Sequence, residues 1–444
     1  MNNARSAALS ALLHVDVNEG YSNLVLDKTL ASFSLESRDK ALASAIFYGV
    51  LERRITLDYI IGQFSKTPVK KLSPQVLEIL RMGVYQILYL EKIPKSAAVN
   101  ESVNLAKENH LVKASGFINA VLRSLLRDID RIKMPDAQME PLLYLSVEYS
   151  YPQWLIAFWQ KVYGEECTLG LLKSSLNKPP VFARVNNTVI SEENLIDKLN
   201  SEGIKANTIT WPDHAIELQN IGAIRNSQSF QEGLFHIQDL SSQICCSLLN
   251  PKSGQRVIDV CAAPGGKAFT LAEIMGDRGE LLAFDQYKGK VGLIQQGAKR
   301  LGLSVIHAAV RDAVGAEEAM EPADRVLCDV PCSGLGIIRR KPEIRYKLQS
   351  VLDSLPDLQY RILCKSSQLV KSGGVLIYST CTLNPKENFQ VAAKFIENNN
   401  EFEPFTLIVP DAFPHVIDEP DNQFTMMPHV HGTDGFFVAA FQKR

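Results

Sequence analysis

The architecture turns on Arg256-Val-Ile-Asp-Val-Cys261-Ala-Ala-Pro-Gly-Gly-Lys267-Ala-Phe-Thr-Leu-Ala-Glu-Ile-Met275. Its apolar start reads as a buried strand, Cys261 to Lys267 as a loop of small residues, and Phe269, Leu271, Ala272 and Met275 as the apolar face of a helix. Strand, glycine loop and helix in that order belong to a parallel sheet, where ligands sit at the carboxyl ends of the strands. The alternation continues downstream. Strands are expected at 256–260, 280–285, 305–308, 325–330 and 375–379, with helices near 266–276, 289–301, 356–370 and 386–398. Gly435-Phe-Phe-Val-Ala-Ala-Phe441 reads as a last strand. Residues 236–444 are therefore predicted to form an α/β Rossmann-like domain with right-handed crossovers.

Upstream the periodicity changes. In 1–133 the apolar positions Val76, Leu77, Leu80, Val84, Ile87 and Leu88, then Phe117, Val121, Leu122 and Leu125, recur at helical spacing and predict an all-α bundle. Lys133-Met-Pro-Asp-Ala-Gln-Met-Glu-Pro141 reads as a linker. Residues 142–235 combine an aromatic helix around Trp154 and Trp159, a strand Val181–Val185 and a helix capped by Ser191 ahead of Glu192 and Glu193, which predicts a small α+β subdomain. Three domains suit a chain of 444 residues.

No apolar run approaches the roughly 20 residues of a membrane span, and Met1-Asn-Asn-Ala-Arg lacks the head of a signal peptide. A cytoplasmic, monomeric protein with no membrane partner is expected, its eight cysteines reduced. The net charge of −2 conceals a division: residues 1–133 carry 18 basic and 13 acidic side chains, so the remainder is acidic. A basic segment of this kind suits a phosphate-bearing partner.

Three cofactors compete for the loop Cys261-Ala262-Ala263-Pro264-Gly265-Gly266-Lys267. A phosphate-binding Walker loop fails because Cys261 stands at its first glycine and Ala268 follows the lysine. The dinucleotide pattern fails because Gly265 and Gly266 are adjacent with no correctly spaced third glycine. S-adenosylmethionine remains. Asp285, ending the second strand, is placed for its ribose hydroxyls, and Asp312, after the third, for its adenine amine.

Two cysteines lie at strand ends, in Asp329-Val-Pro-Cys332-Ser-Gly and in Ser379-Thr-Cys381-Thr. Beside a methyl donor they suit attack on an electron-poor ring. Carbon 5 of cytosine becomes nucleophilic once a thiolate adds to carbon 6, so one nucleophile, one base and one acid near ring N3 are required. Cys381, Cys332 and Asp329 can supply them, although the chemistry does not say which thiol attacks. The tetrapeptide Asp329-Val-Pro-Cys332 lacks the aromatic residue that amine methyltransferases place there. Cys167, Cys245, Cys246, Cys328 and Cys364 read as packing residues. No metal is expected: there is no Cys-x-x-Cys pair, and His429-Val-His431 reads as surface. Five basic residues against one acidic in 339–347 suggest a track for an RNA backbone beside Cys332.

These motifs resemble the RNA cytosine-5 methyltransferases, and the whole chain resembles the bacterial 16S ribosomal RNA methyltransferase B family, also called Fmu or Sun. Gln238-Asp-Leu-Ser-Ser, the cofactor loop, both cysteine motifs and Asp434-Gly-Phe-Phe-Val-Ala carry the likeness in the C-terminal part. Tyr151-Pro-Gln-Trp-Leu155 and Arg184-Val-Asn186 resemble the family's RNA-recognition-like subdomain. Arg5, Arg38-Asp39, Arg81–Leu88, Val99–Val103 and Phe117–Leu122 resemble the NusB fold, an RNA-binding bundle. The resemblance implies Cys381 as nucleophile, Cys332 as the residue assisting product release and Asp329 as a contact to both methionine and base. It also implies Lys267, Asp285 and Asp312 as cofactor contacts and 16S ribosomal RNA as substrate. Where the family usually reads Pro-Glu-Glu-Asn-Glu, this chain has Pro385-Lys386-Glu387-Asn388-Phe389, a departure expected to touch helix packing more than activity. Transfer RNA as substrate, or a NusB-like binding module with an inert C-terminal domain, are the alternative readings.

Overall fold

Helical periodicity in the first third of the chain produces helices in a computed structural model that describes residues 3–18, 22–222, 224–315, 320–347 and 349–444. They are α1 (Ala4–Asn18), α2 (Ser22–Ser32), α3 (Ser37–Phe64), α4 (Pro74–Tyr89), α5 (Lys95–Glu108) and α6 (Val112–Arg127). Their apolar faces meet in one core around Leu12, Phe47, Leu51, Leu57, Ile79, Leu80 and Leu122. Arg5 and Arg81, prominent in the NusB resemblance, are used inside this core. The Arg5 guanidinium donates to Gln86 at 2.8 Å, and Arg81 pairs with Asp58 at 2.6 Å and with Glu78. Among the described residues no helix is long and apolar enough to cross a membrane.

The folded chain divides into two compact units, a coarser partition than the three expected domains. One compact unit comprises residues 1–177 together with 338–347, and the other comprises 178–337 and 348–444. Helices α7 (Pro141–Tyr149) and α8 (Gln153–Ser174), read from sequence as the start of the α+β subdomain, belong to the helical unit. The reason is a pair of hydrogen bonds between residues far apart in sequence. Thr56 donates to the Val147 carbonyl at 2.5 Å, and the Ile55 amide donates to Ser150, which fastens α7 to α3.

The second surprise in this unit is residues 338–347. Arg345 is 1% exposed; it donates to the carbonyls of Glu52 and Ser150 at 2.9 and 3.3 Å and lies over the Tyr151 ring. Tyr346 donates to the Leu51 carbonyl, and Glu343 accepts from the Ser22 amide. One of the five basic residues expected to line an RNA track, Arg345, is thus spent on folding, because a guanidinium satisfies several buried carbonyls at once.

In the other unit, β1 (Val181–Val185), β2 (Lys205–Thr208), β3 (Ala215–Gln219) and β4 (Phe235–Ile237) form an antiparallel sheet in the order β2-β3-β1-β4. Helix α9 (Glu192–Ser201) covers it, its first turn capped by Ser191 as the sequence predicts. Helix α10 (Gln228–Gln231) is a single turn before β4, and α11 (Leu240–Leu249) follows it. The large sheet contains β5 (Arg256–Asp259), β6 (Glu280–Asp285), β7 (Ile306–Val310), β8 (Ala323–Asp329), β9 (Val370–Thr380), β10 (Phe402–Pro404), β11 (Gln423–Met426) and β12 (Phe436–Lys443). Its order is β10-β12-β9-β8-β5-β6-β7, with β11 on β12. The strands β5 to β9 pair in parallel, as expected, whereas β12 runs antiparallel to β9. Strand β9 starts five residues before its predicted position. The Lys371-Ser-Gly-Gly374 composition reads as a turn but is absorbed as an irregular stretch of the β8–β9 ladder. The two sheets belong to one folded unit: Arg184 of β1 pairs with Glu273 at 3.4 Å, both side chains nearly inaccessible.

Candidate active site

Val257 and Ile258 are fully buried between β6 and β8, so β5 delivers Asp259 at its carboxyl end inside the protein. The chain then turns. The Ala262 amide donates to the Phe284 carbonyl and the Gly265 amide to the Ala262 carbonyl, both at 2.7 Å, before α12 (Gly266–Ile274) begins. Gly265 has φ +114°, and a Cβ there would lie 2.4 Å from the Phe269 ring, so only glycine fits. Pro264 is exposed, and Cys261, Ala263, Gly266 and Lys267 are partly so. Asp285 accepts from the Tyr287 amide at 2.9 Å and lies 3.8 Å from the Lys290 ammonium. Asp312 is exposed beyond β7 and caps its own turn through the Val314 amide. Asp259, Asp285 and Asp312 therefore follow successive neighbours in the sheet, along the edge where a ligand belongs.

Asp259 is a participant that sequence reading passed over. It is 1% exposed; one oxygen accepts from the Cys261 amide at 3.4 Å, and the other has no hydrogen-bond partner. An orphaned buried carboxylate oxygen in this cradle fits the cationic amine of S-adenosylmethionine. Burial, then the neighbouring Asp329 charge, pushes its pKa up to about 7. The folded value lies above the ordinary 3.8, so ionisation costs stability: nothing below about pH 4, increasing up to about pH 7 and complete above it. A shift of about three units corresponds to roughly 4 kcal/mol. Asp259→Asn is expected to raise the melting temperature of the ligand-free protein at pH 8, to change it little near pH 4, and to weaken S-adenosylmethionine binding. Calorimetry checks all three, and a lower melting temperature at pH 8 would contradict the assignment.

Strands β8 and β9 are parallel neighbours with Asp329 opposite Ser379. This register brings the two cysteine motifs to one place. The Lys267 ammonium lies 2.7 Å from one Asp329 oxygen, and the Ser379 hydroxyl donates to the other at 2.8 Å. Burial alone would push the Lys267 pKa down, but Asp329 outweighs it and the net shift is upward, so the lysine stays charged. Asp329 is an acceptor through both oxygens. The charged Lys267 beside it is the proton-bearing partner of the pair. Cys332 and Cys381 have their sulfurs 3.1 Å apart, both partly exposed. The hydrogen bond to Cys381, followed by burial, raises the Cys332 pKa well above the usual thiol value. Burial does the same for Cys245 and Cys328, both pushed up to about 12, in keeping with their reading as packing residues.

Glu387, in the segment before α16 (Phe389–Asn398), joins the two cysteine loops. Its fully buried carboxylate accepts from the Ser333 amide at 2.8 Å, from Gln359 of α15 (Leu355–Ser367) at 2.9 Å and from Asn384 at 2.7 Å. Ser333 follows Cys332, and its hydroxyl meets that of Thr382, which follows Cys381, at 2.7 Å. Asn388 accepts from Thr380 and donates to the Thr382 carbonyl. The three residues that this chain retains from the family's Pro-Glu-Glu-Asn-Glu pattern, Pro385, Glu387 and Asn388, are the buried ones, whereas the divergent Lys386 and Phe389 are exposed. Gly336 completes the contact. A Cβ on it would lie 1.9 Å from the Gly435 carbonyl oxygen, and its amide donates to the Cys381 carbonyl.

Among the described residues no group of three or more His, Cys, Asp or Glu side chains could hold a metal. His431, read as surface, is largely buried: it accepts from the Met427 amide and contacts the Pro414 carbonyl.

Residues 246–442 match the family described as 16S rRNA methyltransferase RsmB/F, residues 2–127 the NusB family, and residues 151–225 a ferredoxin-like domain of RsmF/B-like methyltransferases. A Bacillus subtilis protein named probable ribosomal RNA small subunit methyltransferase B is 38% identical, across 99% of this chain and 98% of its own length. The chain belongs to the ribosomal RNA small subunit methyltransferase B family. Its Proteus mirabilis relative, ribosomal RNA small subunit methyltransferase B, is 31% identical over 100% of this chain and 99% of its own. The crystal structure of PH0851 matches with a TM-score of 0.84 at 25% identity, covering 99% of this chain and 98% of that one. A methyltransferase homolog protein from Pyrococcus horikoshii matches with a TM-score of 0.60 at 28% identity, over 68% and 99%. As a member of this family the methyltransferase uses S-adenosylmethionine. Asp259, Asp285 and the Gly265–Gly266 turn are the residues that would hold it.

Proposed function

We propose that this chain forms 5-methylcytosine at one position of small-subunit ribosomal RNA, with Cys381 as the attacking thiolate and Cys332 as the group that frees the product. The supporting observation is the pair of sulfurs 3.1 Å apart beside Asp329, and the family resemblance is what gives the attack to Cys381 and the release to Cys332.

When bound, S-adenosylmethionine supplies an electrophilic methyl group. Cys381 adds to carbon 6 of the cytosine, and the displaced ring electrons make carbon 5 nucleophilic toward that methyl. Asp329, acting as acceptor, holds the exocyclic amine; the proton for N3 comes from Lys267 through it. Cys332, its own proton having passed to water, takes the hydrogen from carbon 5. The released electron pair restores the C5–C6 double bond as the S–C6 bond breaks, and N3 returns its proton through Asp329 to Lys267.

Incubation with labelled S-adenosylmethionine and either protein-free 16S RNA or transfer RNA, followed by digestion to nucleosides, tests the reading. Label in 5-methylcytidine from 16S RNA is the expected result. Label confined to transfer RNA, or on an amine nitrogen, would contradict it.

A further inference from the structure

The loops that carry Cys332 and Cys381 are fastened to each other just beyond each cysteine. The Ser333 hydroxyl meets that of Thr382 at 2.7 Å, the Gly336 amide donates to the Cys381 carbonyl at 3.1 Å, and buried Glu387 accepts from the Ser333 amide. This clamp holds the sulfurs 3.1 Å apart. A disulfide spans about 2.05 Å, so the two atoms need to approach by only about 1 Å to bond. The entropy of closing a loop over 49 positions, which opposes such a bond in an open chain, has already been met by folding. Both cysteines are partly exposed, so a small oxidant reaches them. Cys245 and Cys328 differ: both are fully buried, and burial pushes them up to about 12, which leaves them protonated and inert.

Bond formation needs one thiolate, one thiol and an oxidant. The thiolate attacks hydrogen peroxide, whose O–O bond breaks; hydroxide leaves, and the sulfur becomes a sulfenic acid. Standing alone, a sulfenic acid is open to a second peroxide and to irreversible oxidation as the sulfinic acid. Beside a second sulfur it meets a different fate. The neighbouring thiol attacks the sulfenic sulfur, the S–O bond breaks as the S–S bond forms, and the thiol's proton leaves with the departing hydroxyl as water. The two sulfurs together give two electrons to one peroxide, and the first thiol's proton joins the hydroxide as the second water. A dithiol reductant reverses the bond by exchange. While it stands, neither sulfur can attack a ring carbon or take a hydrogen, because the thiolate is the reactive form.

We propose that Cys332 and Cys381 are a modification site as well as a catalytic pair: hydrogen peroxide joins them in a reversible disulfide that switches methyl transfer off. The effect on activity rests on the reading of the chain as a cysteine-dependent ribosomal RNA methyltransferase, whereas the bond itself does not. The test exposes the reduced full chain, without RNA or cofactor, to hydrogen peroxide, alkylates it under denaturing conditions and digests it without reductant. Mass spectrometry should find two of the eight cysteines protected from alkylation, with the peptides of Cys332 and Cys381 linked. Methyl transfer to 16S RNA should fall by at least about tenfold in step with the linked fraction and return with dithiothreitol. Cys332→Ala, read by mass alone, should form no linked peptide and should carry sulfinic acid on Cys381 that dithiothreitol does not remove. Loss of transfer with both cysteines still alkylated, a bridge from either to another cysteine, or sulfinic acid as the main product on wild-type Cys381 would overturn the proposal. The two readings fail separately. A linked pair in a chain that methylates no cytosine refutes the proposed function alone, whereas normal methylation by a protein whose Cys332 and Cys381 never link refutes the switch alone.

Discussion

Cys381→Ser is expected to lower methyl transfer by at least about 10⁴-fold while leaving the fold and S-adenosylmethionine binding intact. A serine hydroxyl is not ionised near neutral pH and cannot replace a thiolate as nucleophile, and losing an enzyme's nucleophile commonly costs factors of this order or more. Cys381 is partly exposed at the end of β9, and the sulfur-to-oxygen exchange removes little volume. The change in melting temperature should therefore be small. Single-turnover transfer from labelled S-adenosylmethionine measures the loss, and calorimetry shows whether the cofactor still binds. Transfer at more than a tenth of the wild-type rate would remove Cys381 from the chemistry.

Glu387 provides the second large effect, through position rather than contact with substrate. Glu387→Ala leaves the Ser333 amide, Gln359 and Asn384 without their acceptor in a fully buried place. Each unsatisfied group costs about 1–3 kcal/mol, so the methyltransferase unit should lose several kcal/mol of stability in total. Glu387→Gln is the informative companion. Its amide oxygen still accepts, but its NH2 group faces a donor, so the two cysteine loops should separate slightly while the fold survives. A displacement of about 1 Å at reacting groups can cost on the order of 100-fold, so kcat should fall by about that factor with the KM for S-adenosylmethionine nearly unchanged. Equal losses in kcat and in cofactor affinity would show that Glu387 acts on the whole unit and not on the thiol pair.

The parts of this molecule legible in its sequence are those whose cause is local. Period-2 and period-3.6 patterns, the Ser191 cap and the Cys261–Lys267 loop each act within a few residues, and the expected strands and helices lie close to the observed ones. The thiols were legible because ring chemistry demands a nucleophile and a base, although their contact joins residues 49 positions apart. What sequence could not show has distant causes. Arg345 reads as an RNA-facing cation until its acceptors at Glu52 and Ser150 are in place. Asp259 reads as a strand end until β6 and β8 bury it, and α7 reads as part of a separate domain until Thr56 and Ile55 of α3 hold it. A faint signal for Glu387 existed: in a family segment altered at both Lys386 and Phe389, Glu387 and Asn388 stand unaltered.

The division of labour between the thiols is tested most directly by Cys332→Ala incubated with 16S RNA and S-adenosylmethionine, then denatured, digested and analysed by mass spectrometry. The account predicts a covalent protein–RNA adduct that survives denaturation, with a methylated cytosine attached at Cys381, and little such adduct with the wild type. Release of free 5-methylcytosine at the wild-type rate without an adduct, or an adduct attached at a residue other than Cys381, would contradict it.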